Sequence, residues 1–339
     1  MDYKEIIHQQ MFVMTPSMSW WPKYFYHFTN IENALGIISK GWIYGRREAV
    51  QNHLMETDNA SLSVISISQN NIQEYARLYF RPRTPTQYHN EGYKPKHVRQ
   101  IDINANCPVP IFFFLDSYSV LNLPDVKFSE SSCAGMHDLN LLSGEEAFSR
   151  LPFDKIYHDR SFTPDQRDDI IQHRQAEIVR QHGFPIENTL KGIFCRSIAE
   201  KETLLYRLST QYPEAYKKYH HIIRFTPSLN LFYNNGIFIK KVECSENKIF
   251  ILFNDPSKRY GRCKSQKDDF RFDADLYYQD INGQTINRAT CSLMLDYAQS
   301  PGVNLKINEP VSQFAILEIR FDNILMYQNS IDLSTDILI

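Results

Sequence analysis

No Cys-x-x-Cys pair, no long apolar run and no excess of positive charge is written into this chain of 339 residues. The six cysteines, at 107, 133, 195, 244, 263 and 291, are scattered. That spacing excludes a dense disulfide framework and a Cys/His zinc module, and it reads as reduced thiols with no metal required. The strongest apolar run, Ile111 to Leu115, is far too short to cross a bilayer. Met1-Asp2-Tyr3-Lys4 leads into no signal-like apolar stretch, so the expected setting is cytoplasmic with no membrane partner. Lys plus Arg number 37 against 39 Asp plus Glu, a formal charge of −2; no global field holds nucleic acid, and such binding needs a local patch. There is neither an internal repeat nor a low-complexity tract. What is present is an ordinary core-forming composition, 42% hydrophobic and 22% charged, which excludes a disordered chain or a coiled-coil rod. The length exceeds what one core usually fills, so two domains are expected. Aromatics reach 13%, most of them for the core and a few able to stack on bases or nicotinamide.

Along the chain, YFYHF from Tyr24 reads as a strand. A helix follows whose apolar positions Ile31, Ala34, Leu35 and Ile38 share one face. Thr29 with Glu32 predicts a capping box at its start and Gly41 its C-cap. Arg46 to Ser68 is polar and irregular, a long loop and candidate lid. YARLYF at 75–80 predicts a strand stopped by Pro82 and Pro85, and VPIFFFLDSYSVL at 109–121 a second. Residues 128–160 are turn-rich. Thr163-Pro164-Asp165-Gln166 starts a helix to about Gln175, directly before a strand AEIV; Ser197-x-x-Glu200 starts another that Pro213 divides and that ends near His221. Beyond Arg224 the pattern turns to alternating strands, GIFIKKVEC, KIFILF, FRFDADLYY and QFAILEIRF, with a hairpin signal at Asn282-Gly283. The expected fold class is α+β over residues 1–225, followed by an all-β sandwich domain over 226–339.

Four local patterns carry chemistry. YHFTN, Tyr26 to Asn30, puts a histidine at a strand end before a capped helix, where backbone N–H groups can meet an anion. From Arg77 to Arg99 six basic residues (Arg77, Arg81, Arg83, Lys94, Lys96, Arg99) face one acid, Glu91, with Tyr79, Tyr88 and Tyr93 interleaved. Cations and π-faces together suit single strands, which offer phosphates and stackable bases. Tyr157-His158-Asp159-Arg160 supplies donors for a nucleobase edge. In HRQAEIVRQ, Glu177 falls on a short strand between Arg174 and Arg180, where a carboxylate can bond a ribose hydroxyl and stabilise an oxocarbenium-like transition state. Each pattern alone has an ordinary alternative: a cap, a solvated loop, surface decoration, an outward-facing strand charge.

In this order and spacing, YHFTNIENALGIISKGW, LYFRPRTPTQY, FSESS at 128–132, the run ending at Tyr157 and RQAEIV resemble the DarT family of bacterial toxins. These are ADP-ribosyltransferases that use NAD to modify bases in single-stranded DNA, and the resemblance spans about residues 24 to 200. It implies a split β-sheet with flanking helices around an NAD cleft. Glu177 would be the catalytic glutamate, with Arg81 or Arg83 in the cleft. His27, Thr29 and Asn30 would hold the nicotinamide ribose and amide, with Tyr79 beside them. His158, Arg160 and Tyr88 would contact the nucleic acid. The family also covers NAD with a loop arginine; Arg46 and Arg47 are the only arginines between Trp42 and Tyr75 and lie early, so Arg47 takes that place on a poor fit. An antitoxin partner and a role in phage defence are further implications of the resemblance.

Two rival readings stand beside this one. The same transfer onto RNA would use the same phosphates and bases and differ at the 2′-OH. A non-catalytic single-strand-binding or partner-binding module would use the basic stretch and leave Glu177 inert. Nicotinamide release from NAD separates enzyme from binder.

Overall fold

A computed structural model describes residues 1–51, 72–95, 106–133, 140–245, 248–259, 269–307 and 310–333. The chain forms two compact units. The first comprises Met1–Asn90, Ile111–Phe194 and Thr226–Tyr233; the second comprises Glu91–Pro110, Cys195–Phe225 and Asn234–Ile339. Among the described residues no helix is long and apolar enough to cross a membrane.

The first unit opens with helix α1 (Tyr3–Val13), whose Asp2 and Glu5 form a reciprocal cap. Strand β1 (Tyr24–Asn30) then runs into helix α2 (Ile31–Lys40). The strand continues one residue past the expected cap, so Asn30 is the N-cap. Thr29, buried, instead accepts a hydrogen bond from the Asn33 amide at 3.2 Å. Gly41 closes α2 at φ 76°, as its position predicts. Strand β2 (Trp42–Ile43) follows. The long-loop expectation is corrected at its start: Arg46–Gln51 is helix α3, and the remainder lies outside the described residues.

Strand β3 (Tyr75–Tyr79) comes next, and Pro85, having no N–H to lose, opens helix α4 (Pro85–Asn90). The second apolar stretch is strand β4 only over Pro110–Asp116; Asp116 then caps helix α5 (Ser117–Leu121) through its side chain. Strand β5 (Lys127–Phe128), short helices α6 (Glu145–Ser149) and α7 (Phe153–Ile156), helix α8 (Arg167–His173) and strand β6 (Glu177–Gln181) complete the approach to the site. The capping box of Thr163 with Gln166 forms as expected. After strand β7 (Phe184–Pro185), paired to β2, and strand β8 (Leu190–Cys195), the order across the sheet is β5-β6-β3-β1-β4-β8. The β5–β6, β6–β3 and β3–β1 pairs are antiparallel. An aromatic core of Tyr26, Phe112, Phe114, Phe194, Leu231 and Phe232 packs on this sheet.

The second unit contains helices α9 (Ile198–Gln211) and α10 (Pro213–Tyr219), divided at Pro213 as expected, and short strand β9 (Ile223–Phe225). Its β-rich part has a three-stranded sheet of β10 (Ile239–Ser245), β11 (Lys248–Phe253) and β14 (Gly302–Lys306). A four-stranded sheet takes the order β13 (Thr285–Asp296), β12 (Asp269–Gln279), β15 (Phe314–Phe321), β16 (Ile324–Asp332). All these pairs are antiparallel. Phe253 of the first sheet meets Phe272 and Phe321 of the second at ring-centre distances of 6.3 and 5.5 Å, so the two apolar faces pack as a sandwich.

Candidate functional site

The sheet register brings the chemistry together. Across the β3–β6 ladder Tyr79 lies opposite Glu177 and Arg77 opposite Val179; across β1–β3, Tyr26 lies opposite Tyr79. Arg77 and Tyr79, two apart, share the face that Glu177 occupies. Glu177 is 2% exposed, so it is not an outward-facing strand charge. Its Oε1 lies 3.7 Å from the Arg77 guanidinium, while its buried Oε2 meets no hydrogen-bond partner among the described residues. Burial pushes its carboxyl above the usual range, against the opposing pull of Arg77 and hydrogen bonds from Cys133. Ser129 fixes the start of β6 by accepting the Glu177 N–H at 3.2 Å, and its own N–H donates to the Glu177 carbonyl at 2.9 Å.

His27 on β1 sits half-buried with Nδ1 3.2 Å from the Arg77 carbonyl. A carbonyl only accepts, so Nδ1 carries the proton and Nε2 is left as an acceptor. Burial lowers the His27 pKa to about 4, which keeps the ring neutral. Burial, then the neighbouring Glu177, pushes the Tyr79 phenol up to about 12. Thr29 and Asn30 follow His27 at the strand end and are buried.

Arg81 and Arg83, two residues apart, meet different fates. Arg81 is 1% exposed. It lies over the Trp21 ring, pairs with Asp159 at 2.7 Å and donates to the carbonyl of His158. Arg83 has a left-handed backbone, φ 59°. Its N–H donates to Gln87 at 2.8 Å and its carbonyl accepts from the Tyr233 hydroxyl at 2.6 Å. Its guanidinium stacks on Tyr233, its buried Nε has no hydrogen-bond partner, and no carboxylate pairs with it among the described residues. A cation held by a constrained backbone and left without a counter-charge suits a ligand's anion.

Arg174 binds His158 through both the backbone carbonyl (2.7 Å) and the ring (2.9 Å) and also the Arg160 carbonyl, 3.0 Å away. The tetrad is thus anchored, with the Arg160 side chain exposed. Tyr88 is 36% exposed and its ring meets Tyr233 edge-on. Arg47 lies in α3, ion-paired to Glu74.

The expected basic track from Arg77 to Arg99 needs correction. Arg81, Lys94 and Tyr93 are buried: Arg81 is held by Asp159 and Trp21, and Tyr93 packs against Phe270 and Phe321, so the segment is not a solvated loop. Lys96 and Arg99 lie outside the described residues. Sequence reasoning counted Arg77 only as patch charge, and it gave no signal for Cys133 or Tyr233. Strand alternation places Arg77 beside Tyr79 and is the one signal that could have found it. Among the described residues no group of three His, Cys, Asp or Glu could hold a metal ion.

Residues 26–244 match the family model described as "ssDNA thymidine ADP-ribosyltransferase, DarT". No curated protein matches. Among solved structures, the chain is similar to Thermus sp. 2.9 DarT in complex with ADP-ribosylated ssDNA, at 18% identity and TM-score 0.48, covering 62% of this chain and 97% of that one. It is also similar to the same protein with NAD+, at 18% identity and TM-score 0.44, covering 62% and 98%. Thermosipho africanus DarTG in complex with ADP-ribose matches at 14% identity and TM-score 0.46, covering 66% and 54%. The family model spans well over half of the chain and bears out the resemblance read from YHFTN, RPRTP and RQAE. The chain belongs to the DarT family of single-stranded-DNA thymidine ADP-ribosyltransferases.

Proposed function

We propose that this NAD-dependent ADP-ribosyltransferase modifies thymidine in single-stranded DNA, with Glu177 acting on the nicotinamide ribose and His27 and Tyr79 beside it. The observation that carries the reading is the buried Oε2 of Glu177, which has no hydrogen-bond donor among the described residues. Leaving such an atom unpaired costs about 1–3 kcal/mol, and a ribose hydroxyl is the donor it lacks. The glycosidic bond of NAD breaks with its electron pair leaving on nicotinamide. Glu177 stabilises the oxocarbenium charge that appears, the N3 of thymine attacks C1′, and the N3 proton passes to the carboxylate. The neutral His27 offers Nε2 as an acceptor for the nicotinamide amide or ribose. Arg83, with Arg160 and Tyr88, would meet the phosphates and bases of the strand.

Replacing Glu177 by Gln keeps the shape and removes the charge. Single-turnover modification of an oligothymidylate should fall by about 10²- to 10³-fold while NAD binding shifts little. Near-normal turnover would remove the residue from the mechanism. A toxin–antitoxin setting rests on family membership; induced wild-type chain should then arrest growth, and the Glu177→Gln chain should not.

A further inference from the structure

We infer that Arg77 is a positioning residue for the transfer: its guanidinium pairs with the Glu177 carboxylate while its own carbonyl orients the His27 ring, so that a single strand residue sets both groups. The inference rests on reading Glu177 as the residue that acts on ribose.

The geometry is specific. Arg77 faces Val179 across the β3–β6 ladder, and Glu177 is two residues back along β6 from Val179 on the same sheet face. The guanidinium therefore approaches the carboxylate diagonally, 3.7 Å from Oε1, with the Arg77 side chain 28% exposed. That separation is an ion pair rather than a close hydrogen bond, so it supplies charge without covering Oε2. A bidentate pair would occupy both oxygens and leave nothing for a ligand. From the other side of β3, the Arg77 carbonyl holds Nδ1 of His27. A shift of this residue along the strand would move a histidine and a glutamate together.

The groups that face Glu177 are Arg77 and Tyr79 from β3 and Ser129 and Cys133 from the segment after β5. Burial pushes the Tyr79 phenol up to about 12 and raises the Cys133 thiol, so both are uncharged at neutral pH. Arg77 is the one cation that faces the carboxylate among the described residues. Without it, only the Cys133 hydrogen bonds oppose desolvation and the carboxyl protonates at higher pH. Glu177 must be ionised to work, so the acidic limb of the activity profile must move up.

The test uses the full chain carrying Arg77→Met, Arg77→Gln or Arg77→Lys. Two readouts are taken across pH: single-turnover transfer, and titration of the Glu177 carboxyl by carbon NMR without NAD. Both neutral variants should move the acidic limb and the carboxyl midpoint upward by about one unit, at the low end for an opposite charge at this range because Arg77 is partly solvated. Arg77→Lys should keep both close to wild type, and kcat should change more than KM for NAD. A folded neutral variant with limb and midpoint unmoved overturns the inference, as does a loss of rate that is uniform across pH. If Met and Gln both unfold, a displaced midpoint in the folded Lys variant overturns it and an unmoved one supports it. Glu177→Gln, measured in parallel, separates the two claims: normal turnover there sinks the reading of the site, whereas the carboxyl titration judges the Arg77 pair on its own.

Discussion

His27 and Glu177 are pushed in opposite directions by the same cause, since burial disfavours whichever form is charged. The His27 pKa falls from 6.5 to about 4, so between those values the unfolded chain binds a proton that the folded chain does not. Its contribution to stability is present above about pH 6.5 and is lost as pH falls towards 4. At about 1.4 kcal/mol per unit this amounts to at most roughly 3 kcal/mol. Denaturant unfolding followed from pH 7 to pH 4 should show the loss, and a His27→Gln chain should lose visibly less; parallel curves would mean that the ring is solvated. Glu177 has the reverse sign. Its raised carboxyl pKa favours folding at low pH, and that advantage disappears as pH rises through the folded value. Above that folded value the ionised residue is a cost to the fold, so there the Glu177→Gln variant should melt at the same temperature as wild type or higher while transfer collapses. A lower melting temperature would contradict the cost of burial.

Two glycines at either end of one small strand pair show how element-level conformation divides into what a sequence declares and what it hides. Gly41 ends α2 at φ 76°, and a Cβ added there would meet nothing within 4 Å. Gly183 precedes β7 at φ 79°, and its Cβ would lie 2.6 Å from the Ile43 carbonyl oxygen of β2. Gly41→Ala should therefore cost only the left-handed backbone, about 1 kcal/mol. Gly183→Ala adds a backbone clash and should cost on the order of 3 kcal/mol. Paired denaturation curves check the ranking, and equal losses would refute it. Gly41 was legible because an amphipathic helix led up to it. Gly183 was not, since its need arises from β2, more than a hundred residues earlier. The same distinction holds elsewhere. Caps at Thr163 and Ser197 and the Asn282-Gly283 turn are local and were readable. Helix α5 was hidden inside an apolar run, and β13, exposed along most of its length, shows no alternation to read. At the site, Glu177 stood out by residue type at the start of a strand, whereas His27, expected at a strand end, lies in the middle of β1. The ion pair of Arg81 with Asp159, 78 residues apart, and that of Arg77 with Glu177 come from sheet register and tertiary packing, which no local pattern encodes.

At the scale of the whole chain, a division near residue 225 into transferase and accessory parts is a proposal about function, and the packing within each unit says where a cut does least harm. Thr226–Tyr233 belongs to the first unit. Phe232 packs 5.3 Å from Phe112, Leu231 gives its carbonyl to Gln87 at 2.9 Å, and Tyr233 carries the Arg83 guanidinium and bonds its carbonyl. Within the second unit, Ser197 donates to the Ile239 carbonyl, Thr203 accepts from the Gln328 N–H, and Tyr93 packs between Phe270 and Phe321. Fragments 1–225 and 1–233 would both lose those second-unit partners equally, so a comparison between them isolates the eight-residue strap. Burying a Leu and a Phe contributes about 1.5–3 kcal/mol each. The shorter fragment should accordingly unfold at lower denaturant by an amount corresponding to roughly 3–6 kcal/mol. It should also lose any affinity for oligothymidylate that depends on Arg83, whose stacking platform has been removed. Matching unfolding curves together with matching DNA affinity would show that the strap contributes nothing to the first unit and would leave 225 as the natural end of the transferase.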